Sequence, residues 1–223
     1  MRLWLALALA VGLAACRAPA PTRLQPATAS NLAPLPCDGR GPLRPASIGY
    51  CLARRHYVTP AARTVLLAAA NGVAKDHPGS VVLFMDASWS KGTRPMPPHL
   101  SHGDGREVDL AMFFVTPAGR PLAAPPTLTG YGAFEPPSHE TERVCIGIAG
   151  PHHEPDPAAS RSWRLDEART SDLVRRLIAD PHVRRVFIEP HLKTRLGLAR
   201  EDKVRFAGCQ AARHDDHIHV DFS

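Results

Sequence analysis

Near the C-terminus, His214-Asp215-Asp216-His217-Ile218-His219-Val220-Asp221 gathers three imidazoles and three carboxylates into eight residues. Strand alternation over this stretch puts Ile218, Val220 and Phe222 on one face, and His217, His219 and Asp221 on the other. The first face is apolar and belongs against a core. His217 and His219 stand roughly 6.5–7 Å apart along a strand. That is too far for both to bind one ion without strain, so one serves as a ligand and its neighbour reaches the ion's water. A second segment, Ser101-His102-Gly103-Asp104-Gly105-Arg106-Glu107-Val108-Asp109, offers the remaining donors. Asp109 lies between Val108 and Leu110, a charge inside an apolar strand, and a buried carboxylate needs a partner such as a metal. Gly103 and Gly105 permit the tight turn that brings His102 back over Asp109.

His102, Asp109 and His219 thus form a three-ligand set. Three protein ligands plus a water is the arrangement of catalytic rather than structural zinc. Such an ion lowers the pKa of its water to about 7 and polarises a peptide carbonyl, while His217 or His214 moves the proton. One zinc ion is therefore expected. Each motif alone has an ordinary reading: an incidental histidine pair, or a buried, hydrogen-bonded aspartate.

The elements that must position these residues can be read from the surrounding pattern. Thr59-Pro60 is an N-cap followed by proline at the first helical position, opening a helix to about Lys75 with Val65, Leu66, Ala69 and Val73 inward. His77-Pro78-Gly79 stops it. Ser80 to Met85 is a short apolar run expected as a buried strand, with Asp86 directly after it. Strands are expected over Glu107–Val115, Val183–Ile188 and His217–Phe222. Helices are expected over Asp166–Ala179, with Leu173, Val174, Leu177 and Ile178 inward, and over His191–Leu198. The stretch from Thr116 to Ser160 is rich in Pro, Gly and polar residues and reads as a long functional or mobile loop. Without regular βαβ alternation, the expected class is α+β: a mainly antiparallel central sheet flanked by helices, with long irregular loops.

The N-terminus addresses the chain outward. Met1-Arg2 precedes an apolar run from Leu3 to Leu13, too short for a permanent membrane span but suited to a secretory signal. The ending Leu13-Ala14-Ala15-Cys16 resembles the bacterial lipobox, which implies a lipid on Cys16; an ordinary signal peptide is the alternative. Arg17 after Cys16 resembles the sorting signal for the outer membrane. The expected organisation is a signal peptide over 1–15, a lipidated flexible tether over 16–46, and a folded domain over 47–223. Four further cysteines in an exported chain point to two disulfides. Three pairings are possible, and Cys37–Cys51 with Cys145–Cys209 is the one preferred here, keeping one bridge local and the other near the C-terminal site. A zinc site of four cysteines is the weaker alternative, since no CxxC spacing is present.

Composition narrows the partners. The chain has 223 residues, 44% hydrophobic and 22% charged, with 23 prolines and a net charge of +6. A basic balance fits an anionic polymer or simply a solvated surface. Nucleic acid is disfavoured by export, by the absence of a basic stripe with interleaved aromatics, and by only 6% aromatic residues.

Ser101-His102-x-x-Gly105-x-x-x-Asp109, followed by His214-Asp-Asp-His217-x-His219, resembles the penicillin-insensitive murein endopeptidases. These belong with the lysostaphin-type enzymes and D-alanyl-D-alanine carboxypeptidases. The resemblance covers about Ser47 to Phe222, including Arg55-His56-Tyr57, Asp86 and the stretch from Trp163 to Ile188. It implies zinc ligation by His102, Asp109 and His219, with His217 and His214 acting near the water and the scissile carbonyl. Where carboxypeptidases carry a glutamate shortly before the last ligand, Asp215 and Asp216 stand here, which favours the endopeptidase branch. The implied substrate is the peptidoglycan cross-link from D-alanine to meso-diaminopimelate, in the periplasm. Its free carboxylates could meet Lys91, Arg94 or Arg106. Two departures bear on substrate preference: Lys91 to Pro98 replaces an expected glycine-rich stretch, and Asp221 stands where a basic residue is common.

Other readings remain. A D,D- or L,D-carboxypeptidase would use the same metal chemistry, and a non-catalytic wall-binding lipoprotein would lack a ligand or proton carrier. His139, Glu140, Glu142, His152, His153 and Glu154 could form a second metal cluster, with solvated loop residues as the default. His56 and His77 are expected at the surface. Asp86 is expected either to orient a metal-ligating histidine or to act as a simple turn residue.

Overall fold

The computed structural model describes residues 31–99, 101–138, 145 and 162–223. The protein is α+β, as expected. Its strands are β1 (Ala33–Pro34), β2 (Leu43–Pro45), β3 (Tyr57–Val58), β4 (Val82–Phe84), β5 (Glu107–Ala111), β6 (Phe114–Val115), β7 (Arg164–Leu165), β8 (Val183–Phe187), β9 (Val204–Arg205) and β10 (His217–Phe222). Its helices are α1 (Ile48–Leu52), α2 (Pro60–Asp76), α3 (Glu167–Ala179) and α4 (Pro190–Arg195).

Six strands form the central sheet in the order β2-β4-β5-β10-β8-β9. The inner pairs β4–β5, β5–β10 and β10–β8 are antiparallel, whereas the outer pairs β2–β4 and β8–β9 are parallel. The sheet is thus antiparallel at its centre and mixed at its margins. β10 lies inside the sheet, and all six of its residues are buried.

The register follows from the hydrophobic pattern. Ile218 pairs with Leu110 and Val220 with Val108. All four are fully buried and join the core formed with Leu66 and Val73 of α2 and Leu173 and Leu177 of α3. Each such side chain contributes about 1.5–3 kcal/mol when withdrawn from water. A slip of one residue would exchange these side chains with the histidines and carboxylates of the other face, so the register is strongly specified.

The helices begin as their sequences dictate. The Thr59 side chain accepts from Ala62 N at 3.2 Å and Pro60 opens α2. Asp166 caps α3 by accepting from Arg169 N at 3.0 Å. A cap of this kind stabilises by about 1 kcal/mol. Val65, Leu66, Ala69 and Val73 face inward on α2, and Leu173, Val174 and Leu177 on α3, while Ile178 is only half-buried.

Several findings differ from the sequence expectations, among them the strand expected over Glu107–Val115, which is two: β5 in the central sheet and β6 paired with β7. The folded unit begins before Ser47, inside the stretch expected as a tether. β2 pairs with β4 at the sheet edge, β1 pairs with β3, and Leu35 and Leu43 are buried. Proline-rich sequence concealed these strands because their apolar residues are few and lack periodicity. His56 is buried rather than superficial, with its Nδ1 3.4 Å from the Tyr50 carbonyl. His77 is half-buried, 3.3 Å from Asp172. Both expected disulfides are present, Cys37–Cys51 and Cys145–Cys209. The expected signal peptide, Cys16 and the loop cluster His139, Glu140, Glu142, His152, His153 and Glu154 lie outside the described residues.

Candidate metal centre

β5 and β10 set the site. Asp109 and His219 are direct cross-strand partners, so their side chains rise from the same sheet face. His102 comes from the loop before β5, where Gly103 (φ +135°) and Gly105 (φ +81°) take backbone conformations that only glycine adopts easily. A Cβ on Gly103 would also run into the Thr93 carbonyl. That turn folds His102 over the strand, as expected.

The three expected ligands converge. His102 Nε2 lies 3.3 Å from Asp109 Oδ1 and 3.3 Å from His219 Nδ1, and His219 Nδ1 lies 2.8 Å from Asp109 Oδ1. Zinc arms of about 2.0–2.1 Å at tetrahedral angles put ligand atoms about 3.3 Å apart, so two of these edges fit directly. The third is a hydrogen-bond distance that must open by about half an ångström to match that edge. His102 and Asp109 are essentially inaccessible to solvent, and His219 is buried.

Two of the three expected ligands are held from behind by a hydrogen bond, as metal ligands are. His102 Nδ1 donates to the Ala87 carbonyl at 2.9 Å, which leaves Nε2 facing the centre. Tyr131 Oη donates to Asp109 Oδ2 at 2.5 Å, which leaves Oδ1 for an ion. Ligation through His219 Nδ1 places that ring's proton on Nε2. There, Glu107 Oε2 lies 3.9 Å away, buried and with no hydrogen-bond partner among the described residues. These buried histidines and carboxylates can bind a metal ion. Cys37, Cys51 and His56 also cluster, but both sulfurs are consumed in a disulfide.

His217 and His214 flank the ligands. His217 Nδ1 meets Asp216 Oδ1 at 2.5 Å, turning Nε2 toward Asp109 Oδ1 at 3.7 Å. Asp216 thereby fixes the tautomer of His217. The His214 ring lies 4.9 Å from that of His217 and 5.5 Å from that of His219. His217 lies beside the three expected ligand atoms, but His214, His217 and His219 are themselves grouped closely enough to hold an ion, so the strand spacing does not keep the two imidazoles of β10 apart as expected.

Charge in this buried group is strongly coupled. Burial pulls His217 down, but the Asp109 and Asp216 carboxylates outweigh it and lift the imidazole to about 9. Burial likewise opposes His102, and the Asp109 carboxylate raises it on balance. For Asp109, burial pushes the carboxyl up, while His102 and His217 hold it well below the usual carboxylate range. Burial, then the Asp109 charge, pushes the Tyr131 phenol far up, so it stays a donor. A carboxylate held ionised here offers a ligand to a metal ion, and the imidazoles that it raises must release their protons before a metal can take their place beside it.

Several residues of this site were not singled out from the sequence. Tyr131 and His99 are the principal ones. Tyr131 sits in the long loop between Gly130 and Gly132, and a lone aromatic between two glycines was the available signal. Gly130 has φ +95°, and a Cβ there would strike Met85, so the loop can approach the sheet only with glycine at this position. Gly132 N donates to Asp216 Oδ2 at 2.5 Å and Glu135 N to the Asp215 carbonyl at 2.8 Å, pinning the loop beside the histidine motif. Asp86 is placed differently from expectation. It engages His99 Nε2 at 2.9 Å and Arg55 Nε at 2.5 Å rather than the ligand His102, whose orientation comes from a backbone carbonyl. Asp221 shares the strand parity of His217 and His219 but turns to Arg184 and Arg185, each at 2.6 Å. Arg94, expected as a substrate contact, is held by Asp104 at 3.0 Å and Glu107 at 3.3 Å.

Neither protein-family models nor the curated proteins contain a match to this sequence.

Proposed function

We propose that this protein is a zinc metalloendopeptidase that hydrolyses the D-alanyl–meso-diaminopimelyl cross-links of peptidoglycan. The observation that carries this reading is the convergence of His102 Nε2, Asp109 Oδ1 and His219 Nδ1, the first two oriented by hydrogen bonds to the Ala87 carbonyl and from Tyr131, with the Asp216-bound His217 alongside. Two imidazoles and one carboxylate make a donor set suited to zinc. The motif resemblance to the penicillin-insensitive murein endopeptidases supplies the substrate class.

Zinc at such a centre polarises a peptide carbonyl and makes water nucleophilic near neutral pH. The protein's own residues do the rest. With a cation held on Asp109, the carboxylate charge that lifts His217 is cancelled, leaving His217 Nε2 free to take the proton of the attacking water while Asp216 occupies Nδ1. Asp216 also stabilises the imidazolium that forms. His217 then returns the proton to the departing amine. His214, next to His217, is placed to support charge developing on the carbonyl oxygen. Burial of all these groups strengthens each interaction.

The resemblance of the N-terminal sequence to a lipobox supports a periplasmic location, with a lipid on Cys16 anchoring the chain to the outer membrane. No helix among the described residues is long and apolar enough to cross a membrane.

A muropeptide digest tests the reading. Purified protein is incubated with cross-linked dimers, with and without a chelator, beside a His219→Ala variant. Chelator-sensitive conversion of dimers to monomers, lost in the variant, is the expected result. Trimmed stem termini on intact dimers would instead indicate a carboxypeptidase. Unchanged dimers with zinc-loaded protein would indicate wall binding without catalysis.

A further inference from the structure

A cleft of about 460 Å³ opens beside the metal centre, lined by Tyr50, Arg55, Asp86, His99, Thr129 and Tyr131 among others. Its wall is shared with the centre. Tyr131 donates to the ligand Asp109, and its ring packs edge-on to His217 at 5.1 Å. The His99 ring lies 4.7 Å from that of His102. Tyr131 and His99 thus line the cleft and touch the expected ligands, which makes the cleft the neighbouring space for a peptide whose scissile carbonyl sits among the three ligand atoms. Each extended residue advances the chain by about 3.3–3.6 Å.

The cleft's cation is Arg55. Its Nε forms an ion pair with Asp86 Oδ1 at 2.5 Å, without hydrogen-bond geometry, and Asp86 is itself buried and bound by His99. Neither Nη atom has a hydrogen-bond partner among the described residues. Nε and Nη2 are buried, so Nη1 is the nitrogen that the side chain's 21% exposure leaves accessible. Other guanidiniums near the site are engaged. Arg94 binds Asp104 and Glu107, and Arg184 and Arg185 bind Asp221. An arginine fixed at one edge, with an open donor on a largely apolar cleft, recognises a planar anion.

We propose that this cleft is a specificity subsite in which Arg55 binds a carboxylate carried by the substrate residue next to the scissile bond. The proposal rests on the peptidase reading above. It assigns recognition to Arg55 instead of the exposed Lys91 or the paired Arg94. A peptide bearing an amide at that position keeps its shape and loses its charge, so the protein discriminates against it through one charge-assisted contact. Such contacts are worth about tenfold to a hundredfold in kcat/KM.

The test compares two synthetic cross-linked dimers, identical except that the diaminopimelate carboxylate next to the cross-link is free in one and amidated in the other. Wild-type zinc-loaded protein is expected to prefer the free acid by about tenfold or more. Arg55→Gln is expected to bring the ratio of the two kcat/KM values close to one, and Arg55→Lys to retain an intermediate ratio. The ratio is insensitive to general damage around Asp86, since both substrates report it equally. Equal cleavage of both dimers by wild-type protein overturns the subsite while leaving the peptidase reading intact. An unchanged preference in Arg55→Gln assigns the discrimination elsewhere and likewise overturns it. Cleavage of neither dimer by zinc-loaded wild-type protein overturns both.

Discussion

His219 stands directly opposite Asp109 on the neighbouring antiparallel strand, with His219 Nδ1 2.8 Å from Asp109 Oδ1. Two proposed metal ligands from positions 110 residues apart are thus fixed by strand pairing. Only His102 needs a loop. Replacing Asp109 or His219 with alanine should abolish stoichiometric zinc binding and, with it, conversion of dimers to monomers. Metal analysis after dialysis checks this, and a variant that still held one ion per chain would displace the ligand assignment.

Tyr131 holds the second oxygen of Asp109. Losing a partner of this kind weakens metal binding by about tenfold to a hundredfold. Tyr131→Phe, which keeps the ring against His217, should show that loss in a chelator competition titration. An unaltered affinity would mean that the phenol merely fills space.

His217 depends on Asp216 for its orientation. His217→Ala should lower kcat by about a hundredfold to ten-thousandfold with zinc content unchanged. Asp216→Asn leaves an imidazole in place and should cost less. Single-turnover rates alongside metal content separate this from ligand loss. Equal zinc loss in both variants would recast His217 as a ligand.

Glu189 supplies a pH signature in stability. Burial, then the neighbouring Asp215 charge, raise its carboxyl from 4.5 to about 7, against a hydrogen bond from His214 N. The folded state therefore holds this proton more tightly than the unfolded chain. The resulting stabilisation is full below pH 4.5 and disappears as pH rises to 7, at up to about 1.4 kcal/mol per pH unit. Glu189→Gln lacks this dependence. Urea unfolding of both proteins across that range should show the variant gaining on the wild type by about 3 kcal/mol as pH rises. Parallel pH profiles would show that the carboxyl ionises normally in the fold.

Much of the site was legible before the fold was known, because strand alternation is local. His217, His219, Val108, Leu110, Ile218 and Val220 each take the face that period-two patterning assigns. Thr59-Pro60 and Asp166 opened their helices for equally local reasons, through caps a few residues long. The glycines of the His102 turn announced themselves by type, and their φ values agree.

What escaped the sequence depended on contacts between distant segments. Tyr131 meets Asp109 across 22 residues of irregular chain, and Asp86 chooses His99 and Arg55 rather than His102. Asp221 follows the strand parity of the histidines, yet two arginines of β8 claim it, since β8 flanks that end of β10. β1 and β2 carry too little apolar pattern to be seen alone and become strands only because β3 and β4 offer open edges. Side-chain parity and helix caps are set by neighbours along the chain. The partner of a carboxylate, and which arginine keeps an open nitrogen in a cleft, are set by packing, which brings together residues whose separation in sequence carries no signal.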